Sequence, residues 1–321
     1  MKKHGLGFLG SALIYLSYVS TAWALPESAL VNELNKSVLR VEVVLGNGKQ
    51  GLGSGVVVAK NELITNCHVV SDATTITVIQ DGVAHIATAI KPDWKHDLCL
   101  LTVAGLSAPT IKMGASENLQ YETPVFTVGY PGKTNTPVST FGVVKGLFAM
   151  DGSVVIRATS PFNLGASGGG VFDDAGSLVG IITLKSRGEQ ANYFYMPVEW
   201  VQDLMKAPAQ AVGVKSEKPF WAANGKQRPY FMQVVQPAVT HDWQTLRTIA
   251  AEWVSAEPNS AEPWFYLAMA EFETNAYGDA EAHFNQALAL NQGHSQSIEY
   301  LKKMSQKTAS TALKQLALLA N

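Results

Sequence analysis

The chain has 321 residues, 47% of them hydrophobic, with 24 basic against 26 acidic side chains and a formal net charge of −2. That length fits two domains, and the hydrophobic share is that of an ordinary globular chain. Without a long run of one charge there is no basic stripe for a nucleic-acid partner. The two cysteines and scattered histidines make no zinc-ligand set, so neither metal nor cofactor is expected.

The first 24 residues read as an export signal. Lys2 and Lys3 form a basic start, Leu6 to Val19 is apolar, and Ala22-Trp23-Ala24 gives a small-x-small pattern, so cleavage before Leu25 is expected. The apolar run is shorter than the ~20 residues a spanning helix needs, and no later stretch qualifies, so no membrane span is expected after signal removal. Losing two lysines and no acids leaves 22 basic against 26 acidic residues, a charge of −4. The expected location is the bacterial periplasm or outside the cell.

Pro26 to Lys36 carries Leu30, Val31 and Leu34 at the spacing of a short amphipathic helix. From Val38 the pattern becomes β: short runs at 38–44, 55–59, 63–65, 75–79, 86–90 and 98–103, several separated by Gly46-Asn47-Gly48, Lys60-Asn61 or Asp81-Gly82. A second set follows at 124–128, 140–145, 154–158, 170–172, 178–184 and 193–198. Many short strands with polar turns mean a barrel or a sandwich, and two groups of six fit two barrels.

Three words carry chemistry. Asn163-Leu164-Gly165-Ala166-Ser167-Gly168-Gly169-Gly170 sets one hydroxyl in a bed of glycines. On its own this is equally an ordinary flexible loop. Leu63-Ile64-Thr65-Asn66-Cys67-His68-Val69-Val70 sets a histidine at the end of an apolar strand, and His96-Asp97-Leu98-Cys99-Leu100-Leu101 sets an acid at the mouth of another. A serine needs a base to take its proton, and the base needs an acid to fix its tautomer. His68, Asp97 and Ser167 supply these roles, in the chain order of the chymotrypsin-type double barrel. The N–H groups of Gly165 and Ser167 would form the oxyanion hole. Cys67 and Cys99 flank base and acid; a disulfide is expected in an oxidising compartment, with two buried thiols as the alternative. His85, His96, His241, His283 and His294 read as packed or surface residues.

Taken with Gly53-Ser54-Gly55-Val56-Val57, Val128-Gly129-Tyr130-Pro131-Gly132 and Leu178-Val179-Gly180-Ile181, these words resemble the trypsin-like serine peptidases over about 38–201. The nearest branch is that of the bacterial HtrA/Deg periplasmic proteases. The resemblance implies an endopeptidase acting on protein or peptide substrates, with its cleft between two six-stranded barrels. It implies that the Thr183 hydroxyl steadies Asp97, and that Thr183, Leu184 and Lys185 form the edge that pairs with substrate backbone. Three departures follow. Ala166 stands where trypsins have Asp and this branch Asn, so no ion-pair activation switch is expected. No acid lies near Ser160 and Pro161, so preference for Lys or Arg is not expected. Tyr193 falls at a pocket wall and would leave room only for a small apolar side chain.

The strand pattern ends near Lys206, and 206–222 reads as a linker, with Pro208 and Pro219 among small and charged residues. In 223–321 helical spacing takes over. Trp264, Leu267, Ala268, Ala280, Phe284 and Ala287 resemble a tetratricopeptide repeat, in which Ala268 faces Ala280 and Ala287 while Trp264 and Phe284 fill the space around them. Trp243 to Trp253 looks like part of a preceding repeat, and Ser297 to Met304 with Thr311 to Leu319 like a following pair or cap. Such stacks bind a protein or peptide on a concave face. An unrelated bundle is the alternative. The expected architecture is therefore a signal (1–24), an all-β double-barrel peptidase domain (25–205), a linker (206–222) and an all-α tetratricopeptide-like domain (223–321). Relatives of this branch often carry a PDZ domain; none is read here. A silent barrel acting as a scaffold is the competing function, and hydrolysis of small esters ranks last.

Overall fold

A computed structural model describes residues 26–186, 191–213 and 217–319, with side chains to 307. The expected export signal lies outside the described residues. A first helix, α1 (Ser28–Asn35), turns the buried Leu34 onto the core. Six strands follow: β1 (Val38–Leu45), β2 (Gln50–Ala59), β3 (Glu62–Thr65), β4 (Ala73–Gln80), β5 (Val83–Asp93) and β6 (Leu98–Val103). They run antiparallel in the order β5-β4-β1-β2-β3-β6, and pairing of β5 with β6 closes the barrel. A single helical turn, α2 (Cys67–Val70), connects β3 to β4.

The second barrel is built from β7 (Pro124–Gly129), β8 (Val138–Met150), β9 (Ser153–Ala158), β10 (Gly170–Phe172), β11 (Leu178–Lys185) and β12 (Tyr193–Pro197), closed in the order β10-β11-β12-β9-β8-β7. The expected strands are all present, most of them longer than their apolar runs. Period-two alternation explains how β6 is buried on both faces. Cys99 and Leu101 join the first barrel's interior with Val41, Leu63 and Ile76. Leu98 and Leu100 point the other way, into a core shared with Phe126, Phe172 and Phe194 of the second barrel. A seam of buried hydrocarbon therefore fixes how the barrels face each other, at roughly 25 cal/mol per Å² of apolar surface removed from water.

After β12, α3 (Val198–Met205) buries Val198, Trp200, Val201 and Leu204. Within the span read as a linker, β13 (Gln210–Ala211) pairs with β5 on the edge of the first barrel. The helical region comprises α4 (Tyr230–Gln233), α5 (Val235–Thr240), α6 (Trp243–Ala256), α7 (Ala261–Glu273), α8 (Tyr277–Leu290) and α9 (Ser295–Leu319). Ala268, Ala280 and Ala287 are fully buried, as close packing of α7 on α8 requires. Phe265, fully buried and 6.1 Å from Phe284, fills the space assigned to Trp264. Trp264 lies at the margin, donating its indole N–H to the Pro258 carbonyl at 2.9 Å. The two segments expected as a following pair form one helix, α9, because nothing between 304 and 311 breaks it: there is neither Gly nor Pro.

The helices dock on the second barrel. Arg157 of β9 is buried and donates to Tyr266 Oη at 2.7 Å, and to Gln296 Oε1 and the Lys145 carbonyl at 2.5 Å each. Phe231 of α4 stacks on Phe148 of β8 at 4.6 Å. Burial pushes the Glu262 carboxyl well up and the His294 imidazole down to about 3. Among the described residues no helix is long and apolar enough to cross a membrane.

Candidate active site

The register of the first barrel sets the acid beside the base. β3 and β6 pair with Thr65 opposite Cys99, so the start of α2 lies against the turn that feeds β6. A disulfide joins Cys67 to Cys99 across this junction, with Cα atoms 4.9 Å apart. Closing a loop of 32 residues' separation contributes about 2–4 kcal/mol.

Asp97 is fully buried and holds a left-handed backbone, φ +61°. Its carbonyl accepts from Asn66 Nδ2 at 3.0 Å and from the Cys67 N–H at 3.2 Å, which keeps the turn in this uncommon conformation. Its carboxylate grips His68 twice: Oδ1 accepts the backbone N–H at 2.7 Å, and Oδ2 accepts the ring Nδ1–H at 2.6 Å. Since a carboxylate only accepts, the proton is assigned to Nδ1, and Nε2 is left with its lone pair. Oδ2 also accepts the indole N–H of Trp221 at 3.1 Å, and that ring stands edge-on to His68 with centroids 5.7 Å apart.

Thr183 reaches Asp97 through Asn66 and not directly. Its hydroxyl donates to the Ile181 carbonyl and accepts from Asn66 Nδ2, both at 3.0 Å. It sits where the β11–β12 register shifts between Ile182 and Leu184. The Asn66 amide has two N–H groups and spans from Thr183 to the Asp97 carbonyl, so Thr183 supports the acid's main chain and not its carboxylate. Leu184 and Lys185 pair with Phe194 and Tyr193 of β12.

The 163–170 segment between β9 and β10 packs against Ser54 and Thr65 of the first barrel. Gly165 and Gly168 adopt φ of +96° and +87°. A Cβ at Gly168 would strike the Ser54 carbonyl and Thr65 Oγ1, so glycine is needed for both conformation and space. Ser54 of β2 ties this turn to the first barrel. Its N–H donates to the Ser167 carbonyl at 2.8 Å, and its hydroxyl donates to the Gly165 carbonyl at 2.9 Å while accepting the Tyr130 N–H at 2.8 Å. The Leu164 carbonyl accepts from the Gly132 N–H at 2.6 Å. A trans peptide turns its N–H opposite to its carbonyl, so the Gly165 N–H points away from Gly132. Among the described residues neither that N–H nor the Ser167 N–H has an acceptor, and the part-exposed Ser167 hydroxyl bonds to nothing, His68 included.

Beneath the turn the surroundings are aromatic and uncharged. The Phe162 ring lies 5.2 Å from Tyr193 and 5.8 Å from Tyr195, whose hydroxyl donates to the Ser160 carbonyl at 2.5 Å. A pocket of about 110 Å³ opens beside Pro161, Phe162, Asn163 and Ala166, with no charged residue in its lining. A roomier cavity of about 500 Å³ runs along β1 and β2 near Arg40 and Lys133 and contains none of these groups. His96 turns away from Asp97: it bonds Asp93 at 2.6 Å and Asp151 at 2.8 Å and stacks on Trp200. Among the described residues no three His, Cys, Asp or Glu side chains gather as a metal would require.

Three contributors escaped the sequence reading. Ser54 stood inside a matched word without an assigned role. Asn66 likewise stood inside a matched word, next to Cys67, without an assigned role. Trp221 gave no signal, being 124 residues from Asp97 in a span read as linker.

Residues 53–181 match the model of a trypsin-like peptidase domain. Over 164 residues the chain is 35% identical to a protein of Pseudomonas fulva described as a DegP-like periplasmic serine endoprotease, covering 48% of this chain and 34% of that one. Over 194 residues it is 30% identical to the serine endoprotease DegS of Haemophilus influenzae, covering 56% of each. Among solved structures, the active form of the Rv3671c protease from M. tuberculosis matches 60% of this chain and 92% of that one. The TM-score is 0.53 at 22% identity, a likeness of fold. The chain thus spans about a third of the first relative and just over half of the second.

Proposed function

We infer that this chain, which carries a trypsin-like peptidase domain akin to those of DegP and DegS serine endoproteases, is an exported serine endopeptidase. His68, Asp97 and Ser167 are its triad, and the N–H groups of Gly165 and Ser167 its oxyanion hole. The observation that carries this reading is the double grip of Asp97 on His68, which leaves Nε2 as a base.

In the reaction, Nε2 takes the Ser167 proton as Oγ bonds to the scissile carbonyl carbon. The carbonyl π pair moves to oxygen, and the two free N–H groups stabilise that charge. Asp97 stabilises the imidazolium, which then protonates the departing amine as the C–N bond breaks. Water, deprotonated by the same imidazole, releases the acyl group and restores Ser167. In ligand-free sites such proton-transfer contacts are often long and tighten on substrate binding, so an unbonded Ser167 hydroxyl is compatible with this cycle. The main chain of Thr183, Leu184 and Lys185 pairs with the substrate as an added strand. The uncharged aromatic surroundings of Phe162, Tyr193 and Tyr195 favour a small apolar side chain before the cut. The N-terminal pattern and the periplasmic relatives support export, and the helical region is assigned to binding a protein or peptide partner.

The test is casein hydrolysis and fluorophosphonate labelling of the mature chain against Ser167→Ala. The variant should lose about 10³–10⁶-fold in rate and all labelling; equal signals would refute the reading. The rings near the pocket and the unbonded Ser167 hydroxyl favour one other reading, a silent barrel serving as a scaffold. It predicts a folded native chain that neither cleaves nor labels.

A further inference from the structure

We propose that Trp221, on the segment leading into the helices, is the positioning residue of the Asp97–His68 pair. The proposal rests on the triad reading above. Its basis is a vacancy and its occupant: the Thr183 hydroxyl is spent on Asn66 and Ile181, and the indole N–H of Trp221 takes the place on Asp97 Oδ2.

The carboxylate is then held at three points. Oδ1 accepts the His68 backbone N–H, while Oδ2 accepts the ring Nδ1–H and, at 3.1 Å, the indole N–H. Two bonds to the same histidine leave the carboxylate free to rock with that residue. The third comes from another part of the fold and stops the rocking. An indole suits the task, since it can only donate and cannot compete with the carboxylate for the imidazole proton. Its ring, edge-on to His68 at an interplanar angle of 87°, also covers the fully buried acid from water.

The segment is anchored twice at Phe220, the residue just before the indole. The Phe220 N–H donates to the Lys95 carbonyl at 3.0 Å, within the turn that carries Asp97. The Phe220 ring meets Phe231 at 6.3 Å, and Phe231 stacks on Phe148 in the core shared by α4 and the second barrel. Trp221 is therefore set by the docking of the helical region, so the acid's orientation depends on residues beyond the barrels.

The experiment compares the full mature chain with Trp221→Phe, which keeps an aromatic ring and removes the N–H. Losing one hydrogen bond to a charged group should lower kcat about 10-fold. KM for a short peptide ester should hold, as should the melting temperature, with rates normalised by fluorophosphonate titration of active sites. The downfield proton NMR signal of His68 Nδ1–H should move. In an Asp97→Asn background the same change should cost nothing further. Unchanged kcat with an unmoved Nδ1 signal, or a full 10-fold loss repeated in the Asp97→Asn background, overturns the proposal. Should Trp221→Phe fail to fold, the Trp221 indole proton in the native chain and in Asp97→Asn decides: it shifts if the bond exists, and an identical resonance refutes it. Because the NMR signals do not require turnover, a chain without Ser167-dependent activity would sink the triad reading while still deciding this bond.

Discussion

On the first barrel the side chains of the proposed triad are held by other side chains and a disulfide; on the second, the proposed serine is held mainly by main chain and glycine, with the Ser54 hydroxyl as the one side-chain tie named above. His68 depends on the Asp97 carboxylate, and Asp97 on Asn66 and Trp221. Ser167 depends on the Ser54 N–H, on the Gly168 N–H donating to the Ile182 carbonyl at 2.8 Å, and on two positive-φ glycines. The contrast separates two kinds of failure. A side-chain hold can be lost while the fold survives, so the first wall fails in orientation. A backbone hold is part of the fold, so damage to the second wall appears as lost stability.

Among probes of the two walls, Asp97→Asn should give the largest effect and tests the first. Asn tolerates the left-handed backbone at φ +61°, so the turn should persist. Its amide, however, offers a donor where His68 Nδ1–H needs an acceptor, which favours the wrong tautomer. We expect kcat/KM to fall by about 10⁴, with the melting temperature within a few degrees of the native chain. A collapse of the melting temperature would make the acid a structural residue first and break the contrast.

Gly168→Ala is the matching probe of the second wall. A Cβ there meets the Ser54 carbonyl and Thr65 Oγ1, and the backbone must keep φ near +87°. The left-handed backbone alone costs about 1–2 kcal/mol, and the collision adds to it. Urea unfolding should show a loss of at least about 2 kcal/mol, accompanied by lost activity. Lost activity at native stability would mean that the turn moves independently of the barrel seam.

What was legible in the sequence divides along the same line. The strands of both barrels were readable because period-two burial is written locally, and Leu98 to Leu101 reads as buried on both faces. The Ser167 turn was readable because glycine at 165 and 168 is a local requirement. Partnerships formed across the fold left no such trace. That the Thr183 hydroxyl meets Asn66 and not the Asp97 carboxylate follows from a one-residue shift of register on β11, which no local pattern announces. Trp221 looked like linker composition, and only tertiary packing brings it to Asp97. Ser297–Met304 and Thr311–Leu319 looked separate because the polar residues between them interrupt the apolar spacing without interrupting the helix.

A third kind of hold joins the two walls and should give the smallest effect. Lys95 and His96, just before the acid, meet Asp151 in the turn between β8 and β9 at 2.6 and 2.8 Å. Burial opposes charge on His96, but its bonds to Asp93 and Asp151 outweigh that and raise its pKa above 6.5. Asp151 is lowered below 3.8, first by its bond to Lys95 and then by that to His96. A histidine raised on folding stabilises fully below its unfolded value and loses that contribution as pH rises through the folded one. A lowered carboxylate stabilises above its unfolded value and loses that contribution as pH falls through the folded one. The cluster is therefore strongest between about pH 4 and 6.5. Raising the pH from about 6 to 9 should weaken the seam by less than about 1 kcal/mol, since solvent reaches these groups. Urea unfolding of His96→Gln across the same range should show a flatter slope with pH. Identical slopes would mean that the walls are joined by Ser54, by hydrogen bonds such as that of Asn66 to Thr183, and by the apolar seam, without a contribution from this cluster.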